Sequence, residues 1–270
     1  MLFDQMNRNN SEKLSECQTI FYNLKEDEPE FEFNSLMFRN DLRTNMVQWL
    51  VFLCDKLNFD TQTLFRSVII FDKYISLSNI FYSKNEEEVT QEKLNLITIA
   101  CLSLATKMEE INCNYVSFFV EKVLNLPNYQ IFSVKDLTKM EMTILKELKY
   151  KTLYSTAFDF LQVYLELFKN VFLANEQMCQ NIKILSENLL KQNIINDFFV
   201  TMTQSDFAML CFTQVLVQMG MNQYLIVKEF NALLNNTNDL LNKNSMDNII
   251  NDSKGKYKRI NMMVSPIQNL

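Results

Sequence analysis

The chain has 270 residues, is 48% hydrophobic and carries a formal net charge of −6, enough apolar content for substantial cores and an acidic balance unsuited to broad nucleic-acid or membrane-surface binding. It contains no histidine, which excludes Ser-His-Asp and Cys-His catalysis and histidine-bearing zinc sites. With only two glycines and three prolines it can build neither a P-loop nor a dinucleotide-binding turn, and long helices with short connections follow.

Residues 1–36 are polar and acidic, and read as a loosely ordered extension with one short helix around Leu14–Leu24. From Asn40 the pattern changes. Asp41 is a candidate N-cap, and Leu42, Met46, Leu50, Leu53 and Leu57 recur at helical spacing. Asn58-Phe59-Asp60 breaks this helix, and Thr61 is the expected cap of the next, whose face carries Leu64, Val68, Phe71 and Ile75. Ser83–Glu88 is a solvated acidic loop. A third helix from about Thr90 to Met108 is apolar nearly all round, which predicts a central position among the others. A short helix near Val116–Leu124 stops before Pro127, and a fifth over Val134–Leu148 places Leu137, Met140, Ile144 and Leu148 on one stripe.

Beyond residue 152 come Ala157–Phe168, Glu176–Lys191, Phe207–Met219, Leu225–Leu234 and a weaker piece near Met246–Ile250. The two halves share helix number and spacing without sequence identity. Lys254–Arg259 is a small basic cluster that reads as a solvated tail, with a nuclear-targeting element as the alternative. The six cysteines form no C-x-x-C pair and fall mostly in apolar helical stretches, the pattern of buried free thiols in a reducing compartment. No uncharged run reaches transmembrane length and no signal-peptide pattern opens the chain, so a soluble intracellular protein is expected.

Arg43, Lys107 and Glu141 each sit on an otherwise apolar helical face, where a charge is costly to bury unless paired. Lys107 has a sufficient local reason in the dipole of its helix, and Glu141 in solvation beside Lys139. Glu109 and Glu110 are adjacent carboxylates, but neighbouring side chains on a helix point about 100° apart and cannot converge on one substrate atom. An enzyme is not expected.

Four motifs in order make the chain similar to a known family. Leu42-Arg43 followed by Val47-Gln48-Trp49-Leu50 resembles the start of the cyclin box, and Ile70–Ser76 resembles its second helix. Leu94-Asn95-Leu96 through Ala105-Thr106-Lys107-Met108-Glu109-Glu110 resembles the third, and Met140-Glu141 with Ile144-Leu145 the fifth. The resemblance covers about residues 38–165. It implies an all-α protein of two consecutive five-helix cyclin-box folds, the second divergent, with extension 1–37, first box 38–152, second fold 153–250 and tail 251–270.

The resemblance also implies a non-catalytic regulatory subunit, without cofactor or metal, that binds and activates a cyclin-dependent protein kinase in the nucleus or cytoplasm. Lys107, Glu141, Met108, Glu109 and Phe81 match kinase-docking positions, and Arg43 matches a buried arginine tied to Asp72. Leu42, Met46, Trp49, Leu94 and Asn95 match a groove for Arg-x-Leu peptides of substrates and inhibitors. Asn45 replaces an aliphatic residue there and Phe52 an acidic one, so a weakened or altered peptide preference is expected. Ser155-Thr156 stands where the family usually has Pro-Thr. The alternatives are a cyclin-fold scaffold that binds without activating, and a transcription-related factor; the acidic charge and absent zinc ribbon argue against the latter.

Overall fold

Helices account for every regular element in the described part of the chain. The computed structural model describes residues 2–31, 42–78, 90–111, 133–172 and 176–222, with residues 226, 228 and 230. In chain order these form α1 (Leu2–Glu26), α2 (Leu42–Leu57), α3 (Thr61–Leu77), α4 (Gln91–Glu109), α5 (Val134–Glu147), α6 (Ala157–Phe172), α7 (Glu176–Asn193), a 3-10 turn (Asp197–Thr201) and α8 (Gln204–Gln218). The described residues, up to Phe230, belong to one compact unit. The expectations for Phe81, Asp41, Cys113, the acidic loop 83–88, the helix near 116–124, the piece near 246–250 and the tail 254–259 lie outside the described residues.

The first group of helices is organised around α4. Every residue from Ile97 to Thr106 is buried, and α3, α5 and α2 all pack on it, as its all-round apolarity predicts. In the second group α6 takes the equivalent place, packing on α8, α1 and α7. Its core is aromatic: Tyr164 and Phe168 meet Phe212 with ring centroids 6.1 and 6.0 Å apart, and Phe230 closes on Phe212 at 5.6 Å.

The helix ends follow local chemistry. Thr90 caps α4 with its hydroxyl on the Lys93 amide, and Ser133 with Asp136 forms a reciprocal capping box at the start of α5. Thr156 and Asp159 make a similar exchange at α6, so Ser155-Thr156 serves as a helix start without proline. Asp60, not Thr61, caps α3: its carboxylate accepts the Gln62 amide at 2.8 Å, leaving Thr61 as the first helical residue. The break after α2 is a left-handed turn at Asn58 (φ 54°), closed by Phe59 N donating to Cys54 O, and Gly220 (φ 89°) ends α8 in the same way.

The N-terminal extension departs from expectation. It is one 25-residue helix rather than a loose segment with a short helical piece. Its composition is polar, but Leu14, Cys17, Phe21 and Leu24 form a stripe at helical spacing. Phe21 sets its ring 5.6 Å from Phe160, and Cys17 is buried. Tertiary packing supplies what composition could not.

The strand of residues that leaves α1 is tied down on several sides. Ser205 N donates to Glu28 Oε1 at 2.7 Å, which places a carboxylate at the start of α8, and Ser155 N donates to Asp27 O at 3.0 Å. Lys73 of α3 donates to Glu30 O, with its ammonium over the Phe31 and Tyr154 rings.

Candidate functional site

The most distinctive polar arrangement in the first helical group lies between α4 and α5. On α5 the buried stripe is Leu137, Glu141 and Ile144, so the periodicity that buries two aliphatic side chains also carries a carboxylate inward. A buried carboxylate needs charge-assisted partners. Glu141 has two on α4: Lys107 Nζ lies 2.5 Å and Ser103 Oγ 2.6 Å from its Oε1. The glutamate side chain is 7% exposed and the lysine 31%, so the carboxylate is sunk while the ammonium stands at the lip. Lys107 thus has a carboxylate partner in addition to the helix end, and Glu141 is not a solvated neighbour of Lys139.

Exposed apolar side chains occur on the same stretch of chain as Glu141. Met142 follows Glu141 and is 42% exposed, and Tyr150 at the end of the same segment is 63% exposed. Lys149 and Tyr150 both take left-handed φ values (50° and 63°), in a turn closed by Tyr150 N donating to Leu145 O at 2.7 Å. Met108 is half-buried beside Lys107. Neither Ser103, Met142 nor Tyr150 was singled out by the sequence; Ser103 lies within an apolar run, and the others mark no periodic face.

Glu109 goes elsewhere. Its carboxylate accepts from Arg66 Nε at 2.6 Å, and Arg66 also donates to Tyr154 O and lies 3.9 Å from Asp159. Glu110 accepts from Asp60 N at 2.9 Å and Thr63 Oγ at 2.6 Å. The two carboxylates therefore fasten the end of α4 to α3, and Arg66 extends the tie to α6. They do not share one site, as their helical spacing required.

Arg43 and Asp72 meet as a bidentate pair between α2 and α3, both distances 2.9 Å, and both side chains are about as buried as the apolar core (5% and 4% exposed). The remaining guanidinium hydrogens reach the carbonyls of Ile194, Ile195 and Asn196, each at 3.2 Å, and the Phe199 ring lies 5.6 Å away. One arginine thus gathers three carbonyls past the end of α7, of which Asn196 O also accepts from Phe199 N at 3.0 Å.

Between α2 and α4, Met46, Trp49 and Leu94 are buried, whereas Leu42 and Asn95 are half-buried. Gln91 donates to Asn95 Oδ1 at 2.8 Å and lies 4.0 Å from Met46 Sδ, which connects the two helices across this surface. Phe52 is 40% exposed, with the Lys56 ammonium 5.8 Å from its ring centre.

Burial pushes the thiols of Cys54, Cys101 and Cys211 well up, so they stay protonated and are poor nucleophiles. Among the described residues there is no group of three or more acidic, cysteine or histidine side chains able to hold a metal, and no helix long and apolar enough to cross a membrane.

The chain is similar to known proteins over much of its length. A family model described as "Cyclin, N-terminal domain" matches residues 19–153. The chain is 29% identical over 186 residues to the G2/mitotic-specific cyclin-A of Hydra viridissima, covering 67% of this chain and 40% of that protein. It is 30% identical over 156 residues to mouse cyclin-G1, covering 58% of this chain and 49% of the relative, and 25% identical over 201 residues to rice cyclin-D2-2, covering 74% and 51%. It therefore spans about half or less of the length of these curated relatives. Among solved structures, a viral cyclin from herpesvirus saimiri superposes with a TM-score of 0.53 at 18% identity, covering 72% of this chain and 83% of that one, a likeness of fold.

Proposed function

The chain belongs to the cyclin family, and from that premise we propose that it is a non-catalytic regulatory subunit that binds a cyclin-dependent Ser/Thr kinase and activates it by docking on the kinase αC helix, in control of cell-cycle progression. Docking pushes that helix inward, so that its glutamate pairs with the lysine on strand β3 and the activation segment opens. The subunit contributes no chemistry of its own, only differential affinity for the active kinase conformation.

The observation that carries this reading is the Lys107–Glu141 pair, two matched positions on separate helices brought to 2.5 Å, with the carboxylate buried and the lysine partly exposed. In this reading exposed Met142 on α5, exposed Tyr150 in the turn after it and half-buried Met108 on α4 are the apolar side chains available to a partner. Glu109 acts in this reading as a strut behind the surface, since Arg66 holds its carboxylate. The α2–α4 surface keeps the buried Met46, Trp49 and Leu94, but exposed Phe52, with the Lys56 ammonium over its ring, stands in place of an acidic partner, which supports a weakened or altered preference for Arg-x-Leu peptides. Free cysteines fit a reducing, intracellular setting.

Reconstitution tests the proposal. The purified chain is mixed with a cyclin-dependent kinase from the same organism, and phosphoryl transfer to a generic substrate is recorded beside Lys107→Glu and Glu141→Lys. Activation that either charge reversal abolishes is the expected result. Binding without activation would move the chain to the scaffold class, and absence of binding would remove the kinase partner.

A further inference from the structure

The hydroxyls of α4 behave in two ways. Thr98 donates back to Leu94 O at 2.8 Å and Thr106 to Ser103 O at 2.9 Å, each satisfied within its own helix. Ser103, only 1% exposed, instead crosses to α5 and donates to Glu141 Oε1. Ser103 and Lys107 are one helical turn apart and share a face, so both donors reach the same oxygen from α4. The result is a graded row: a buried hydroxyl, a sunken carboxylate, and an ammonium at the lip.

We propose that Ser103 is a positioning residue for the docking pair: by holding Glu141 from the inside, it fixes the carboxylate against which Lys107 is aimed outward. The proposal rests on the docking reading for its partner but not for its geometry. A carboxylate held by Lys107 alone can rotate with the lysine, because a single flexible ammonium sets no direction. A second donor on a rigid, buried helix removes that freedom before any partner arrives, and less ordering is left to do on binding. Among the described residues Lys107 Nζ donates to Glu141 alone, which leaves two N–H groups for acceptors on the partner.

The test has two readouts on the full chain. The first is hydrogen exchange of the Lys107 ammonium, followed by side-chain nitrogen NMR without any partner. The second is titration against a cyclin-dependent kinase, separating half-saturation from activity at saturation. Ser103→Ala is expected to speed ammonium exchange severalfold and weaken kinase binding about tenfold, with saturated activity unchanged. Ser103→Thr, which retains the hydroxyl, is expected to restore both. A folded Ser103→Ala with wild-type exchange and wild-type half-saturation would overturn the proposal. So would Ser103→Thr behaving like the alanine variant despite a native fold. Faster exchange in Ser103→Ala, in a chain that binds no such kinase, would support the positioning role and overturn the docking reading.

Discussion

Arg43 with Asp72 and Lys107 with Glu141 join the same two kinds of charge across neighbouring helices, yet they are built for different ends. The arginine pair is enclosed, and its guanidinium is bonded to a carboxylate and three carbonyls. A planar fork with fixed donor directions suits that task. The lysine pair is enclosed on one side only, with a buried hydroxyl behind the carboxylate and 31% of the lysine side chain in solvent. Complete satisfaction locks a fold; a donor left at the surface leaves something to recognise.

Mutations should separate these roles. Arg43→Met would strand Asp72 in the core and release the carbonyls past α7, lowering stability by about 3–5 kcal/mol in denaturant unfolding. Glu141→Ala comes next, with an expected loss of about 1–3 kcal/mol because the Ser103 hydroxyl is left buried without its acceptor. Lys107→Ala leaves the sunken Glu141 carboxylate with the Ser103 hydroxyl as its partner on α4 and should cost about 1–3 kcal/mol of stability, while on the docking reading kinase activation in the reconstituted assay falls far more. A large stability loss in that variant would erase the distinction between the two pairs.

The smallest effect concerns Glu187 on α7. Burial, above all, pushes its carboxyl above the ordinary carboxylate value, and nearby Lys183 and Lys191 only partly offset this. The native state then holds this proton to higher pH than the unfolded chain, so stability falls as pH rises through the window just above 4.5. Glu187→Gln should remove that decline, giving a gain within about 0.5 kcal/mol at pH 7 and none below about pH 4. Thermal unfolding across that range checks it.

Much of the fold was legible because helices announce themselves locally. Leu64, Val68, Phe71 and Ile75 mark a face of α3, and the continuous apolar run to Ala105 predicts a central α4. The first helix is hard to read for the opposite reason: its apolar stripe is narrow, and the Phe160 and Tyr164 rings that Phe21 meets on α6 are remote in sequence. Asp60 displaced Thr61 as a cap because both are good cap residues, and one position of register decides between them.

For the candidate site, the sequence placed Lys107 near the end of one helix and Glu141 in the middle of another. That they meet, that Ser103 joins them, and that Glu109 turns to Arg66 were decided by tertiary structure. Arg43 reaches carbonyls more than 150 positions away, and Glu28 reaches an amide 177 positions away. By itself the sequence determined the helices from α2 to α8, their apolar faces, and the ordered motifs of the family. Partner choice among the charged groups depends on how each helix is rotated and how far it lies from the next. Those quantities are set by packing, because a 3.6-residue period specifies a face but not the side chain opposite it.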